Sequence, residues 1–213
     1  MTTQPADDRS LPLRERKKLR TRRALADTAL RMFTEKGFDA TTLDEIAEEA
    51  EVSKSTFFRA FPAKEAAAIE AEAELWSAYL TALADRELSG PILGELHQAL
   101  AAAVVGLDPG WDERFLATRR LVAAEPALLA YVEHYRAGVE RQVIACLASK
   151  VHLDPEDLRL HVLAELATTA WSVSGRYWVR HDGQGGRQAL IDRLDSAIKV
   201  IPASLDLCAT ALP

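Results

Sequence analysis

Apolar residues recur with a helical period along almost the whole chain. In the segment from residue 13 to residue 36, Leu25, Ala29 and Phe33 fall on one face of a helix. Gly37 follows directly, and a glycine in that position is typical of a helix end. Similar periods return between short breaks, and no segment shows the strict alternation of a half-buried strand. The pattern therefore predicts an all-α protein with about nine helices.

Three of the predicted helices follow one another closely near the N-terminus. Thr42 and Glu45 have the spacing of a capping box at the start of the second helix. Ser53 is a typical N-cap for the third helix, which ends before Pro62. Because only a short turn separates these two short helices and a longer helix precedes them, the pattern indicates a helix-turn-helix unit.

The rest of the chain predicts longer helices joined by short loops. Their predicted bounds are 64–88, 92–107, 111–124, 126–151, a helix from the N-cap Asp154 and Pro155 to about residue 181, and 187–201. We therefore expect a flexible arm at 1–12, a small helix-turn-helix domain at 13–63 and a larger helical domain at 64–213.

Charge is unevenly distributed along the chain. The whole sequence holds 26 basic and 32 acidic residues, a net charge of −6. Residues 14–23, RERKKLRTRR, nevertheless carry seven basic side chains and one acidic side chain. Such a concentration is an electrostatic footprint of the kind that contacts nucleic acid, although a basic run is also ordinary for the solvated face of a helix.

Two isolated cysteines, Cys146 and Cys208, are too few for a disulfide framework and favour a reducing compartment. The first residues do not resemble a signal peptide. The uncharged helical segment at residues 166–175 is about half as long as a membrane span. We expect a cytoplasmic protein without a membrane partner. The five histidines are scattered, and the sequence predicts no metal site and no cofactor.

One segment, residues 21–71, resembles the N-terminal domain of TetR-family transcriptional regulators; its sequence is TRRALADTALRMFTEKGFDATTLDEIAEEAEVSKSTFFRAFPAKEAAAIEA. The matching positions, in order, are Thr21, Leu25, Ala29, Phe33, Gly37, Thr41 and Thr42, Ile46 and Ala47, Val52 and Ser53, Thr56, Phe61 and Lys64. Two positions depart from the pattern, since Glu51 stands where glycine is common and Phe58 where tyrosine is common. The resemblance implies a DNA-binding transcriptional regulator.

A recognition helix needs short polar side chains at its N-terminal end to reach base edges and phosphates in the major groove. Residues 53–56, SKST, supply them. Thr42 begins a helix, where a phosphate is favoured, and the resemblance implies a DNA-backbone contact for Lys64. The expected partner is a double-stranded DNA operator. The predicted contacts are Arg20, Arg22, Thr42, Ser53, Lys54, Ser55, Thr56, Phe58, Arg59 and Lys64.

Three nearby residues invite other interpretations. Phe57 and Phe61 have the i, i+4 spacing of core residues. Phe58 has no hydroxyl to donate to a phosphate, so it either contacts a sugar or a thymine methyl or has no role in binding. Glu51 occupies a turn position suited to positive φ, which costs about 1 kcal/mol for a residue other than glycine.

TetR-like regulators typically dimerise through their last two long helices, here about 155–181 and 187–201. The resemblance thus implies a homodimer. The apolar positions expected at its interface also suit packing within one chain; they are Leu160, Leu163, Ala164, Ala167, Ala170, Trp171, Leu190, Ile191, Leu194 and Ile198.

Residues 112–143 resemble the ligand domains of actinobacterial regulators of the mycofactocin-system type, which respond to acyl-coenzyme A. The resemblance implies a small effector, acyl-coenzyme A or another hydrophobic molecule, that releases a repressor from a palindromic operator. Ordinary packing is the alternative for each candidate lining residue; these are Trp76, Tyr79, Phe115, Arg119, Tyr131, His134, Tyr135, Trp171 and Trp178.

Two other classes of protein are alternatives: an all-α enzyme or carrier for an acyl or aromatic ligand, and a helical adaptor that binds protein. The sequence has no Gly-rich phosphate loop, no paired His and Cys arrangement and no recognisable carboxylate dyad. We therefore expect a regulator that is not an enzyme.

Overall fold

The computed structural model describes residues 12–208, which form ten α-helices without a strand. The all-α prediction is confirmed. The helices are α1 (Leu13–Lys36), α2 (Leu43–Glu49), α3 (Lys54–Ala60), α4 (Lys64–Ala68), α5 (Glu70–Asp85), α6 (Ile92–Gly106), α7 (Trp111–Ala124), α8 (Pro126–Val151), α9 (Leu158–Arg180) and α10 (Gly186–Leu205). Within this described range, no helix is long and apolar enough to cross a membrane.

The predicted helix at 64–88 is in fact two helices. α4 ends at Ala68 and α5 begins at Glu70, while Ile69 between them has φ −102° and ψ 15°. No glycine or proline marks this break in the sequence. Since Ile69 is almost completely buried, packing overrides the helical preference of the segment.

The N-cap of α9 is Asp157, not Asp154. The Asp157 side chain accepts a hydrogen bond from the Arg159 N–H at 3.0 Å, whereas Asp154 accepts one from the Glu156 N–H in the preceding turn. Hydrogen bonds from the Arg159 side chain and backbone lower the pKa of Asp157 to about 2. Two aspartates three residues apart both have N-cap chemistry, so the sequence prediction began this helix too early.

The helices group into two compact units. Among the described residues, the first comprises residues 12–75 together with Gly106–Arg136, and the second comprises Trp76–Val105 together with residues 137–208. The functional domains at 13–63 and 64–213 remain a prediction.

In the first unit, α1, α2 and α3 share a core with α4, α7 and the beginning of α8. The side chains of this core are Leu25, Ala26, Ala29, Met32, Phe33, Phe38, Ile46, Phe57, Phe61, Ala67, Ala68, Ile69, Val122, Leu128 and Val132. Phe33 packs on Phe38 with ring centroids 4.9 Å apart. The short helices α2 and α3 have no more than two turns each, so this shared core stabilises them.

In the second unit, α9 and α10 pack along each other as an antiparallel pair. Leu190 and Leu194 of α10 are completely buried. Trp76 meets Trp171 edge to face, with ring centroids 6.1 Å apart. Lys150 donates hydrogen bonds to the carbonyl oxygens of Ala84 and Arg86, and the first of these satisfies a backbone acceptor at the end of α5.

Candidate DNA-binding surface

The capping box predicted for α2 is present. Thr42 is the N-cap in extended backbone; its hydroxyl accepts the Glu45 N–H at 3.2 Å, and the Glu45 carboxylate accepts the Thr42 N–H at 2.8 Å. The hydrogen bonds from Thr42 lower the pKa of Glu45. Together these bonds fix the angle at which α2 leaves the preceding loop.

The turn between α2 and α3 is a Schellman motif. The Glu51 N–H donates to the Glu48 carbonyl oxygen and the Val52 N–H donates to the Ala47 carbonyl oxygen, both at 2.9 Å. Glu51 has φ 53°, so the expected positive φ is confirmed. A non-glycine residue there costs about 1 kcal/mol but leaves the turn closed.

Ser53 caps α3 and organises the hydroxyl groups of its first turn. Its Oγ accepts the Thr56 N–H at 3.2 Å and lies 2.9 Å from the hydroxyl oxygens of both Ser55 and Thr56. Lys54, on the same turn, pairs with Asp44 of α2 at 2.8 Å. Residues 53–56, which are predicted to contact base edges and phosphates, therefore share one exposed turn.

The aromatic residues of α3 divide into core and surface. Phe57 and Phe61 are completely buried, with ring centroids 5.7 Å apart, so their prediction as core residues is confirmed. Phe58 is 50% exposed, and Arg59 beside it is also exposed. The buried pair fixes α3 on the unit while its other face stays open.

Besides Lys54, two of the basic residues predicted to contact DNA have intramolecular partners. Arg22 forms an ion pair with Glu70, donates to the carbonyl oxygen of Ala60 and lies 4.3 Å above the ring of Phe61. These contacts join α1 to the end of α3 and to the start of α5. Arg20 is exposed on α1.

Lys64 is the second such residue. Its Nζ donates hydrogen bonds to the carbonyl oxygens of Phe38 and Thr41 at 2.9 and 3.2 Å, and it lies 4.2 Å above the Phe38 ring. The lysine thus holds the loop between α1 and α2 against the start of α4.

The comparisons with known proteins agree with this geometry. The family described as "Bacterial regulatory proteins, tetR family" matches residues 25–71, and the "MftR C-terminal domain" matches residues 90–206. The HTH-type transcriptional regulator TcmR of Streptomyces glaucescens is 30% identical over 175 residues, covering 78% of this chain and 76% of that protein. The chain belongs to the TetR family. Both resemblances seen in the sequence are thereby confirmed.

Other relatives match this chain over a shorter stretch or at a lower sequence identity. An uncharacterized HTH-type regulator of Bacillus subtilis, YuxN, is 41% identical over 54 residues, which is 25% of this chain and 17% of that protein. A crystal structure of a TetR-family regulator from Mesorhizobium loti has a TM-score of 0.52 at 19% identity and covers 88% of this chain and 97% of that one. A regulator from Aquifex aeolicus gives 0.50 at 18% identity, with 85% and 99% covered. These two structures support the fold alone.

In this TetR-family protein, the predicted ligand residues lie in two groups, one in each unit. Trp76, Tyr79, Trp171 and Trp178 belong to the second unit and are each at least 97% buried. Trp76 contacts both Tyr79 and Trp171 edge to face. Burial raises the pKa of Tyr79. This aromatic cluster is therefore packed as core in the structure.

The group in the first unit is tied into packing and ion pairs. Phe115 stacks on Trp111 with centroids 4.6 Å apart, and Tyr131 and Tyr135 pack against the shared core. Arg119 donates to Glu72 at 3.0 Å. His134 is exposed.

Sequence reasoning missed the buried charges of α5. Glu72 is completely buried and accepts hydrogen bonds from Arg119 and from Arg136 Nε, at 3.0 and 2.7 Å. Glu74 accepts from Arg114 at 2.8 Å and from Arg23 at 3.1 Å. The signal was present in the sequence EAEAEL, where acids alternate with alanines in a helix that is otherwise apolar.

A depression of about 250 Å³ opens to solvent beside these charges. Five charged residues line it, together with alanines, Leu30 and Thr118; the five are Arg23, Asp27, Glu70, Glu74 and Arg114. Burial raises the pKa of Asp27 even though Arg114 and Arg23 lower it. Most of this volume is open to solvent, so the enclosed space is far smaller than the roughly 300–1,000 Å³ of pockets that hold drug-sized ligands.

Proposed function

We propose that this TetR-family transcriptional regulator is a ligand-responsive repressor that binds a palindromic operator as a homodimer. The observation that carries the DNA-binding part is the exposed first turn of α3, where residues 53–56 lie on a helix anchored by buried Phe57. Short polar side chains at the N-terminal end of such a helix suit the base edges and phosphates of the major groove. Binding to chromosomal DNA also implies a cytoplasmic protein.

The basic end of α1 supplies the electrostatic attraction in this proposal. Residues 38–63 carry six acidic side chains but only two basic ones, Lys54 and Arg59. A segment with four more acidic than basic side chains repels phosphates when taken by itself. Residues 14–20 of α1 are mostly exposed and include five basic side chains. Their contacts with phosphates would add affinity without adding sequence preference.

Gel shifts with variants of α3 test the proposed DNA binding. Gel shifts with the DNA that flanks the gene should give a sequence-specific complex, weakened by Lys54→Ala and by Thr56→Ala. Lys199→Ala is the matched control, since Lys199 is an exposed lysine of α10 that pairs only with the neighbouring turn in the described structure. If Lys54→Ala and Thr56→Ala bind the operator as tightly as the wild type does, α3 is not the helix that recognises its sequence.

The proposed dimer interface is the outward face of α9. Leu158 and Val162 lie on one side of the helix, as do Val173 and Tyr177 three turns further along, and each is at least 40% exposed. Arg193 of α10 lies 4.1 Å above the Tyr177 ring. An apolar row of this kind suits a four-helix interface with a second copy.

Burial corrects seven of the ten interface positions expected from the sequence, while Leu163, Ile191 and Ile198 are half-buried and stay predictions. Leu160, Ala164, Ala167, Ala170, Trp171, Leu190 and Leu194 are buried within one protomer, so they belong to its core. Sedimentation should give a dimer for the wild type and a monomer for Val173→Glu. Val105→Glu, at an exposed position of α6, should remain dimeric. A monomeric wild type would exclude the dimer.

The proposed effector is a small hydrophobic or acyl-type molecule, acyl-coenzyme A among them. Support comes from the match of residues 90–206 to the MftR C-terminal domain. An effector that binds better to a dimer with the wrong spacing of recognition helices would release the operator. The indole emission should change across an acyl-coenzyme A series of increasing chain length, and the same compounds should dissociate the DNA complex. Unchanged emission and an intact complex would exclude this class.

A further inference from the structure

Phe58 is distinguished by its place on α3. Of the described residues from 20 to 104, it is the only exposed large hydrophobic side chain, at 50%. Lys54 and Ser55, one turn earlier, and Arg59 beside it are exposed and polar. A phenyl ring therefore stands in the middle of the face that the proposed function turns toward DNA.

The ring is held in position before any partner arrives. It meets the Phe57 ring edge to face, with centroids 6.0 Å apart and an interplanar angle of 85°. Phe57 is completely buried and packs in turn against Phe61. Because its support is rigid, Phe58 loses little conformational freedom when it makes a contact, which favours affinity.

Three polar neighbours of Phe58 on α3 already have intramolecular partners. The hydroxyl oxygens of Ser55 and Thr56 each lie 2.9 Å from Ser53 Oγ, and Lys54 Nζ lies 2.8 Å from Asp44 Oδ1. Part of the hydrogen-bonding capacity of each group is therefore already used within the protein, which reduces its net gain on binding DNA. Phe58 needs no hydrogen bond, so its contact adds affinity without breaking an existing bond.

A phenyl ring has no hydrogen-bond donor or acceptor group with which to read a polar base edge. Among the base-pair edges in the major groove, the apolar group is the C5 methyl of thymine. We infer that Phe58 selects thymine at one position in each half-site by packing against this methyl group. The inference rests on the proposed placement of α3 in the major groove and adds a base preference to it.

Replacing thymine with deoxyuridine tests the inference, since this change removes the methyl group and leaves every hydrogen-bonding group of the base in place. The full-length protein first selects duplexes from a randomised library. Each thymine of the enriched duplex is then replaced in turn, symmetrically in both half-sites. At one thymine position the wild type should bind about fourfold more weakly per methyl group, or about 15-fold for the symmetric pair.

The decisive quantity is the ratio of the dissociation constants for the deoxyuridine and thymine duplexes, measured for each protein variant. This ratio does not depend on the fraction of folded protein, so partial misfolding of a variant cannot imitate the result. Phe58→Ala should bring the ratio close to one, and Phe58→Leu should keep part of it. Val105→Ala, which truncates an exposed apolar side chain of α6, should keep the wild-type ratio.

Two results would overturn the inference alone: a wild-type ratio of one at every thymine, or an unchanged ratio in Phe58→Ala. The second would assign the methyl contact to another side chain. If Phe58→Ala altered only the sedimentation of the protein, the ring would belong to a contact between proteins and the inference would again be wrong. If the library yielded no enriched duplex, the proposed DNA-binding function would fall together with the inference.

Discussion

Arg22 should contribute to the free energy of unfolding, while Arg20, only two residues earlier in the same basic run, should contribute little. The Arg22 guanidinium pairs with Glu70, donates to the Ala60 carbonyl oxygen and covers Phe61. The Glu70 side chain is only 11% exposed, so Arg22→Ala leaves a largely buried carboxylate without its cation. Arg20 lies exposed on the same helix.

The size of the effect follows from these contacts. Breaking a buried ion pair costs about 3–5 kcal/mol, but Arg22 is 37% exposed and solvent screening reduces this to about 2 kcal/mol. Losing the cation–π contact with Phe61 adds about 0.5–1 kcal/mol. We therefore expect Arg22→Ala to lower the free energy of unfolding by about 3 kcal/mol. Arg20→Ala, at an exposed position, should change it by less than about 0.5 kcal/mol.

Urea unfolding at a fixed protein concentration, followed by far-UV circular dichroism, measures both values. The pH dependence gives a second test. Burial raises the pKa of Glu70 above its ordinary 4.5 although Arg22 lowers it, and removing Arg22 should raise it further. A carboxyl group whose pKa is raised in the folded state makes the protein less stable as the pH rises. The loss of unfolding free energy in Arg22→Ala should therefore be large at pH 7 and shrink toward pH 4.5.

If Arg22→Ala and Arg20→Ala lower the free energy of unfolding by the same amount, this reasoning is refuted. A loss in Arg22→Ala that does not change with pH would also refute it. In the first case, the internal contacts of Arg22 contribute nothing to stability. In the second case, the buried, ionised carboxylate of Glu70 is not the source of the stability that the mutation removes.

Three further predictions concern α2 and its neighbours. Thr42→Ala should lower stability by about 1 kcal/mol in thermal melts, while Thr42→Ser keeps the cap and the wild-type melting temperature; equal melting of all three proteins would contradict this role. Since the pKa of Glu45 is lowered, its contribution is present above pH 4.5 and disappears as the pH falls through its folded-state pKa. An acid titration of Glu45→Gln should therefore lack part of the wild-type pH dependence, and identical profiles would count against it. Asp44→Asn releases Lys54 from its ion pair and should tighten DNA binding about two- to fivefold in fluorescence anisotropy; weaker binding would mean that the pair positions Lys54 for DNA.

The local signals in the sequence predicted the helix-turn-helix region well. The capping box of Thr42 and Glu45 and the N-cap Ser53 act within four residues of chain, so spacing alone specified them. The positive φ at Glu51 likewise follows from a turn that is closed by its own backbone.

Features that depend on distant partners could not be predicted in the same way. Arg22 and Arg20 look alike in the sequence, because the partner that distinguishes them, Glu70, lies 48 residues further along. The break at Ile69 likewise comes from burial rather than from a helix-breaking residue. Along α9, the sequence shows apolar positions on two sides of the helix, and only the structure separates the buried Leu160 from the exposed Val162.

Selection of duplexes from a randomised library by the full-length protein tests the central claim most directly. The proposed dimer, with two copies of α3, should enrich an inverted repeat whose half-site centres lie about one helical turn, roughly 34–36 Å, apart. Ser55→Ala combined with Lys54→Ala should lose this enrichment. Enrichment of no sequence, or of a single half-site without its repeat, would contradict the proposed dimeric DNA-binding regulator.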